Sequence, residues 1–198
     1  MCEFYDPGIG MDPDGELQAV YMNRDAYSRT VRAAGESARR GVELVWKFFG
    51  WWGYTGKGDL ITWVVMSSSP SRFDSSSAHA RLGYDCDEEA ERLWGFQSAG
   101  SAKGNAITAV GCGHTHLCPI FVSGTDLDCA LTGFYEPHSV MLIISVTSRK
   151  PEFGCFGWKV NGGRKALGQV PLYIYLGQDW TRQVRAGAFV EELLPRGE

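Results

Sequence analysis

Short apolar runs, rich in aromatic and β-branched residues, are the feature that most limits how this chain can fold. The longest are LVWKFFGWW at 44–52 and VMLIIS at 140–145. Both are much shorter than the roughly 18–20 apolar residues that a helix needs to cross a bilayer. Their length and composition are typical of strands buried in a sheet. We therefore expect a core built around a sheet, and no membrane partner.

Predicted strands and helices alternate in the first half of the chain. A helix is expected to begin near Asn23 or Asp25, which are good N-cap residues, and to end at Gly41. A second helix is expected after a Ser-rich loop, opened by a capping box of Asp85 and Glu88. The strand candidates of this half lie at 17–22, 43–52 and 60–66, and the Ser-rich loop lies at 67–79.

Strands dominate the second half. A short helix is expected from Ser123 to Phe134, and the C-terminal segment 182–198 is expected to extend into a last strand. The other strand candidates lie at 106–114, 140–147, 155–161 and 171–177. The predicted fold class is therefore α/β (α+β), a mixed β-sheet flanked by helices. Because no repeat or change in composition divides the chain, one domain at 17–198 is expected after an irregular lead-in at 1–16.

Composition narrows the classes of partner and compartment. Apolar residues make up 44% of the 198 residues, which is enough to build a core. The net charge of −4 and the pI of about 5.6 give no basic field, so no nucleic-acid partner is expected. The six cysteines are widely spread with no CxxC pair, and the acidic N-terminal residues lack the apolar stretch of a signal peptide. Free thiols and a cytoplasmic location are expected.

Two histidines separated by one residue lie at the end of the strand candidate at 106–114. In an extended chain, His114 and His116 point to the same side, so both imidazoles can face one metal ion. Asp126 lies ten residues after His116, beyond a loop that contains a proline, and is a candidate third ligand. Three protein ligands plus a water is the usual arrangement of catalytic zinc. Ser123 and Asp126 also form an S-x-x-D capping box, which needs no catalytic role to explain it.

The segment HTHLCPIFVSGTD at 114–126 resembles the signature of the JAMM zinc metalloproteases, also called JAB or MPN+ proteins: H-[ST]-H-P, a short loop, then S-x-x-D. The segment ELVWKFFG, from Glu43 to Gly50, is similar to the family's upstream strand that opens with Glu. The order of elements over 17–165 is also similar. This chain differs in having Leu117 where the family usually has Pro, and six rather than seven residues between the second His and the Ser.

The resemblance implies a JAB/MPN domain with a cytidine-deaminase-like fold and a set of roles. His114, His116 and Asp126 would bind Zn²⁺, with a water in the fourth position. Glu43 would accept a proton from that water and return it to the leaving amine. Ser123 would donate a hydrogen bond to the oxyanion of the tetrahedral intermediate.

The resemblance also implies a zinc-dependent isopeptidase or peptidase that cleaves after the C-terminal tail of a ubiquitin-like protein. Its partners would be that protein or its conjugates, with E1-like and E2-like proteins of a bacterial conjugation or antiphage defence system. C-terminal processing of a ubiquitin-like or sulfur-carrier protein is an alternative, and so is a non-catalytic MPN-type scaffold. The H-x-E and P-C-x-x-C pattern of zinc deaminases and the H-E-x-x-H of thermolysin-like proteases are absent.

The aromatic segment FFGWWGY at 48–54 has two interpretations. One is a strand whose rings are buried against helices. The other is an exposed tryptophan patch that docks a partner, since tryptophan is enriched at interface hot spots.

Overall fold

A computed structural model describes residues 15–55, 57–72, 75–78, 80–94, 107–161 and 164–175. Within these ranges, eight strands form one mixed, curled sheet accompanied by three helices. The predicted C-terminal strand at 182–198 and most of the lead-in at 1–16 lie outside the described residues. The elements are β1 (Leu17–Asn23), α1 (Arg24–Arg40), β2 (Val45–Tyr54), β3 (Leu60–Ser67), α2 (Asp85–Trp94), β4 (Thr108–His116), α3 (Gly124–Gly133), β5 (Val140–Ser145), β6 (Glu152–Asn161), β7 (Arg164–Gln169) and β8 (Leu172–Tyr175).

The strand that carries the two histidines lies in the interior of the sheet. The strand order is β7-β6-β5-β4-β2-β3-β1-β8. Strand β4 pairs antiparallel with β2 and parallel with β5, with His114 opposite Val45 on one side and Ile143 on the other. Both neighbours therefore fix the backbone of β4 along most of its length.

The two faces of β4 serve different layers of the molecule. On one face, Leu44 and Trp46, which lie beside β4 and are hydrogen-bonded or paired to it, belong to a core cluster. This cluster includes the small residues Ala33 and Ala34 of α1. On the opposite face, Cys112 of β4 packs with Ala130 of α3 and with apolar residues of β5 and β6. Since residues i and i+2 of a strand share a face, His114 and His116 project to the same side as Cys112, toward α3.

The first helix begins and ends where the sequence predicts. The side chain of Asn23 accepts a hydrogen bond from the backbone N–H of Ala26, which makes Asn23 the N-cap. Gly41 ends the helix with φ 63°, a left-handed conformation that glycine adopts without steric penalty.

The aromatic segment at 48–54 lies mainly in the core, as its packing interpretation expects. Phe48 and Phe49 are completely buried, and Trp51 is 5% exposed. Trp52 is half-buried and stacks on the imidazole of His138, with ring centroids 4.7 Å apart. The interpretation as an exposed tryptophan patch is therefore wrong for this segment.

The predicted capping box of Asp85 and Glu88 is wrong. Helix α2 begins at Asp85 itself, and the backbone N–H groups of Asp87 and Glu88 both donate to the carbonyl of Tyr84. The Asp85 carboxylate instead accepts hydrogen bonds from the hydroxyl of Ser71 and the backbone N–H of Arg72. The carboxylate thus holds the Ser-rich loop in place and does not cap the helix. Its hydrogen-bond donors come from the loop and not from the first turn of α2.

Two strand predictions need correction. Glu43 does not open β2, which begins at Val45, and lies instead in the connection from α1. Strand β7 is missing from the sequence prediction, although the dipeptide Asn161-Gly162 just before it is a typical hairpin signal.

No helix among the described residues is long and apolar enough to cross a membrane. The cysteines in the described ranges, Cys86, Cys112, Cys118, Cys129 and Cys155, are free thiols as expected.

Candidate metal centre

Three side chains converge at the end of β4. The Nε2 atoms of His114 and His116 lie 3.0 Å apart. The carboxylate of Asp126 approaches both, with one oxygen 3.1 Å from His114 Nε2 and the other 3.5 Å from His116 Nε2. Two ligands bonded tetrahedrally to Zn²⁺ at 2.0–2.1 Å are about 3.3 Å apart, so these separations suit a single ion. The three side chains lie close enough to hold a metal ion.

The cluster is largely removed from solvent. The side chains of His114, His116 and Asp126 are only 11%, 5% and 12% exposed. Within the described part of the chain, the Nδ1 atom of His116 is buried without a hydrogen-bond partner. Burying two imidazoles and a carboxylate with so little solvent is costly unless the groups compensate one another or share a cation.

Helix α3 delivers Asp126 to the histidines. Ser123 is the N-cap of this helix, and its hydroxyl oxygen accepts a hydrogen bond of 3.1 Å from the backbone N–H of Asp126. In return, the Asp126 carboxylate accepts a hydrogen bond of 2.7 Å from the backbone N–H of Ser123. This capping box fixes the rotamer of Asp126 and points its remaining lone pairs at the imidazoles. The loop of six residues before Ser123 is therefore long enough to bring Asp126 to the cluster.

The Asp126 carboxyl is held in its charged form. Burial opposes the charge, but hydrogen bonds from His114 and His116, together with the backbone N–H of Ser123, outweigh it and lower the pKa well below its usual range. A carboxylate that stays ionised in a buried position is what a cation-binding site requires.

Glu43 lies beside the cluster without joining it. Burial raises the pKa of its carboxyl above the usual range, and interactions with His116 and His114 act in the opposite direction. The backbone N–H of Leu117, at the position where the similar JAMM signature usually has proline, also lowers this pKa by hydrogen bonding to the carboxylate. Leu117 can make this contact because, unlike proline, it has a backbone N–H.

Large apolar side chains are exposed beside the cluster and along α3. The ring of Phe121 lies 5.1 Å from that of His116, and half of its surface is open to solvent. Leu127 and Leu131, one turn apart on α3, are 37% and 45% exposed. Exposed apolar side chains close to a polar site are a common property of binding regions.

Two buried polar residues on the other face of β4 were not predicted from the sequence. Thr115, between the two histidines, and Ser37, in the last turn of α1, are completely buried and have hydroxyl oxygens 2.7 Å apart. A signal for Thr115 was present, since strand alternation places it on the face of β4 opposite the histidines, among apolar residues. Ser37 carried no signal, because a serine near the end of a helix is ordinary.

Neither the models of known protein families nor the curated proteins match this chain. The geometry and chemistry of the site therefore carry the functional conclusion.

Proposed function

We propose that this chain is a JAMM-type zinc metalloprotease, an isopeptidase that cleaves after the C-terminal tail of a ubiquitin-like protein. The observation that carries the proposal is the cluster of His114, His116 and Asp126, with the half-buried Glu43 beside it. Two imidazoles and one carboxylate are a typical ligand set of catalytic zinc, which leaves a fourth position open. The order of the elements from β1 to β6 is also the one that the resemblance to JAB/MPN domains implies.

The residues around the cluster suit the hydrolysis of an amide bond. When bound, zinc acts as a Lewis acid and lowers the pKa of a water in its open position to about 7. Because burial raises it, the pKa of the Glu43 carboxyl lies closer to neutral pH than that of an exposed glutamate. This favours the use of Glu43 as a base and then as an acid toward the leaving amine. Ser123 accepts one hydrogen bond from Asp126, so the proton of its hydroxyl stays available for donation to an oxyanion.

The surroundings favour a macromolecular substrate. Phe121 beside His116, and Leu127 and Leu131 on the helix that carries Asp126, expose more apolar surface than a small polar substrate needs. A folded ubiquitin-like protein would cover such a surface while its extended, Gly-rich tail enters the site. E1-like and E2-like proteins that build the conjugate would be further partners. A cytoplasmic location completes this proposal, because it supplies both the conjugates and reduced thiols.

Metal content is the first test. The purified protein should contain about one Zn²⁺ per chain, measured by atomic emission. The change His116→Ala should remove most of it, because two remaining ligands bind zinc far more weakly than three. His138→Phe is a matched control, since His138 is equally buried but stacks on Trp52 and belongs to no ligand cluster in the described structure. Retention of full zinc content in His116→Ala would contradict the assignment of the site.

Turnover is the second test, and it separates the enzyme from a scaffold. Zinc-loaded protein should cleave an isopeptide-linked conjugate of a ubiquitin-like protein and lose this activity in chelator. Glu43→Gln should retain zinc and substrate but lose turnover by about 10²–10⁴-fold, because the amide cannot accept a proton. A linear fusion tested in parallel distinguishes deconjugation from precursor processing. If the zinc-loaded protein cleaves neither substrate, the catalytic proposal is wrong and the scaffold becomes the better explanation.

A further inference from the structure

We propose that the buried hydroxyls of Thr115 and Ser37 form a positioning pair that holds Glu43 in reach of the metal centre. This inference rests on the proposed function, because it gives Glu43 the task of moving a proton at the site. Neither hydroxyl touches the cluster itself, and the structure shows how both act on the backbone next to Glu43.

Thr115 and the residue after Glu43 exchange two hydrogen bonds. The backbone N–H of Thr115 donates to the carbonyl of Leu44, and the backbone N–H of Leu44 donates to the hydroxyl oxygen of Thr115, each at 2.9 Å. Since β2 begins only at Val45, these bonds extend the attachment of the chain to β4 by one residue toward Glu43.

Ser37 attaches the residue on the other side of Glu43. Its hydroxyl donates to the carbonyl of Val42 at 2.7 Å. A serine hydroxyl has a single proton, so the second contact of Ser37, at 2.7 Å, must be an acceptance from the Thr115 hydroxyl. The three hydrogen bonds therefore form a chain with one direction. The N–H of Leu44 donates to Thr115, the Thr115 hydroxyl donates to Ser37, and the Ser37 hydroxyl donates to the Val42 carbonyl.

The consequence is a backbone fixed on both sides of Glu43. The peptide groups of Val42 and Leu44 are tied to one buried pair of hydroxyls, while the backbone N–H of Glu43 donates to the carbonyl of Ser76 at 2.7 Å. Glu43 itself lies in the connection between α1 and β2, outside the sheet, so these bonds are what fix its backbone relative to β4. Thr115 is also the residue between the two metal-ligating histidines, so one short segment sets the position of both the ligands and Glu43.

Substitutions of the pair should lower kcat and leave binding intact. Thr115→Val keeps the shape but removes the hydroxyl, and Ser37→Ala removes its partner. Each should lower kcat by about 10- to 100-fold, the loss expected from a misplaced catalytic group, with KM and zinc content close to those of the unchanged protein. Thr115→Ser keeps the hydroxyl and should restore most of the activity. An unchanged kcat in both Thr115→Val and Ser37→Ala would overturn the proposal.

A matched control separates positioning from general damage to the core. Thr62 is also a completely buried threonine, and its hydroxyl donates to the carbonyl of His138 at 2.6 Å. It lies on β3, which is separated from β4 by β2. Thr62→Val should lower the melting temperature without lowering kcat. If Thr62→Val and Thr115→Val reduce kcat equally, the hydroxyl pair supports only the fold and the proposal fails.

A double-mutant cycle shows whether Thr115 acts through Glu43. In the Glu43→Gln background, Thr115→Val should change the residual turnover by less than about twofold, because the group that it positions no longer works. Independent, multiplicative losses would mean that Thr115 acts on the metal or the substrate instead, and would overturn the proposal.

Crystal structures of zinc-loaded proteins test the geometry without any substrate. The Glu43 carboxylate should move by more than about 1 Å in Thr115→Val and return in Thr115→Ser. An unmoved carboxylate would contradict the positioning role even if the protein proves inactive. Conversely, inactivity of the unchanged, zinc-loaded protein together with a displaced carboxylate in Thr115→Val would reject the proposed function and leave the positioning pair intact.

Discussion

Ser123 combines a structural contact with a position beside the candidate metal centre. Its hydroxyl caps α3 through the backbone N–H of Asp126, and the carboxylate of Asp126 returns the contact. Removing the hydroxyl therefore disturbs the helix cap in any case, and the question is whether it also disturbs turnover. Because the two effects are measured by different experiments, a single substitution can distinguish them.

Ser123→Ala should cost about 1 kcal/mol of unfolding free energy, the usual value of an N-cap, and lower kcat by about 10²-fold or more with zinc still bound. The matched control is Asn23→Ala, which removes the N-cap of α1, whose side chain accepts from Ala26 N–H at 2.8 Å. It should cost a similar free energy and leave kcat unchanged. Denaturant titration and steady-state kinetics measure the two quantities. A zinc-loaded Ser123→Ala protein with nearly normal kcat would exclude Ser123 from catalysis.

The sequence could predict the residues of the site that local geometry brings together. His114 and His116 share a face because of strand alternation, and Ser123 and Asp126 meet because of the spacing of a capping box. The place of Glu43 was harder to predict, because Glu43 reaches the cluster only through the pairing of β2 with β4. Only the resemblance to a family indicated it. The partner of Thr115 could not be predicted, because Ser37 meets it across 78 positions of sequence.

Among the elements, α1 was predicted closely because both of its ends carry local signals. Asn23 caps it, and Gly41 ends it in a left-handed conformation. The start of α2 was mispredicted for the opposite reason, since the Asp85 carboxylate finds its donors in the Ser-rich loop. Local propensity therefore describes an element well when its capping groups lie within a few residues, and fails when tertiary contacts recruit them.

Gly111 lies where the backbone of β4 approaches β5 closely. It has φ 155°, and a Cβ added there would overlap the carbonyl oxygen of Val140 on β5. Gly111→Ala should therefore destabilise the protein by about 3 kcal/mol or more, because backbone atoms must separate. The control is Gly35→Ala, at an open position in α1, which should stabilise by about 0.5–1 kcal/mol. Urea unfolding measures both, and equal effects would contradict the described packing of β4 on β5.

At the scale of the whole molecule, the sheet curls so that distant parts of the sequence meet. The side chain of Lys159 on β6 donates to the carbonyl of Leu17 on β1 at 2.7 Å, although four strands lie between them in the sheet order. The pattern of apolar runs predicted the described strands except β7, but it carried no information on their order or on this closure. Contacts of this kind depend on the twist of the whole sheet, which no local segment records.

His138 lies just before β5 and is buried against residues of β2 and β3, so its protonation is coupled to folding. Its ring stacks on Trp52 of β2, and its carbonyl accepts a hydrogen bond from Thr62 of β3 just before β5 begins. Burial lowers its pKa from 6.5 to about 4. Between these values the unfolded chain binds the proton and the folded chain does not. Stability should therefore fall as the pH decreases from about 6.5 to about 4, and this contribution should level off below it.

His138→Phe keeps a stacking ring and removes the titration, so it isolates this term. Between pH 7 and pH 5, the unchanged protein should lose about 2 kcal/mol more unfolding free energy than the variant, as the shift in the His138 pKa requires. Urea unfolding of both proteins in chelator, at the two pH values, gives the difference while any loss of metal affects both equally. Acidic groups such as Asp126 act at lower pH and are common to both proteins. Equal losses in the two proteins would show that the pKa of His138 is not lowered in the folded state, and would contradict its burial against Trp52.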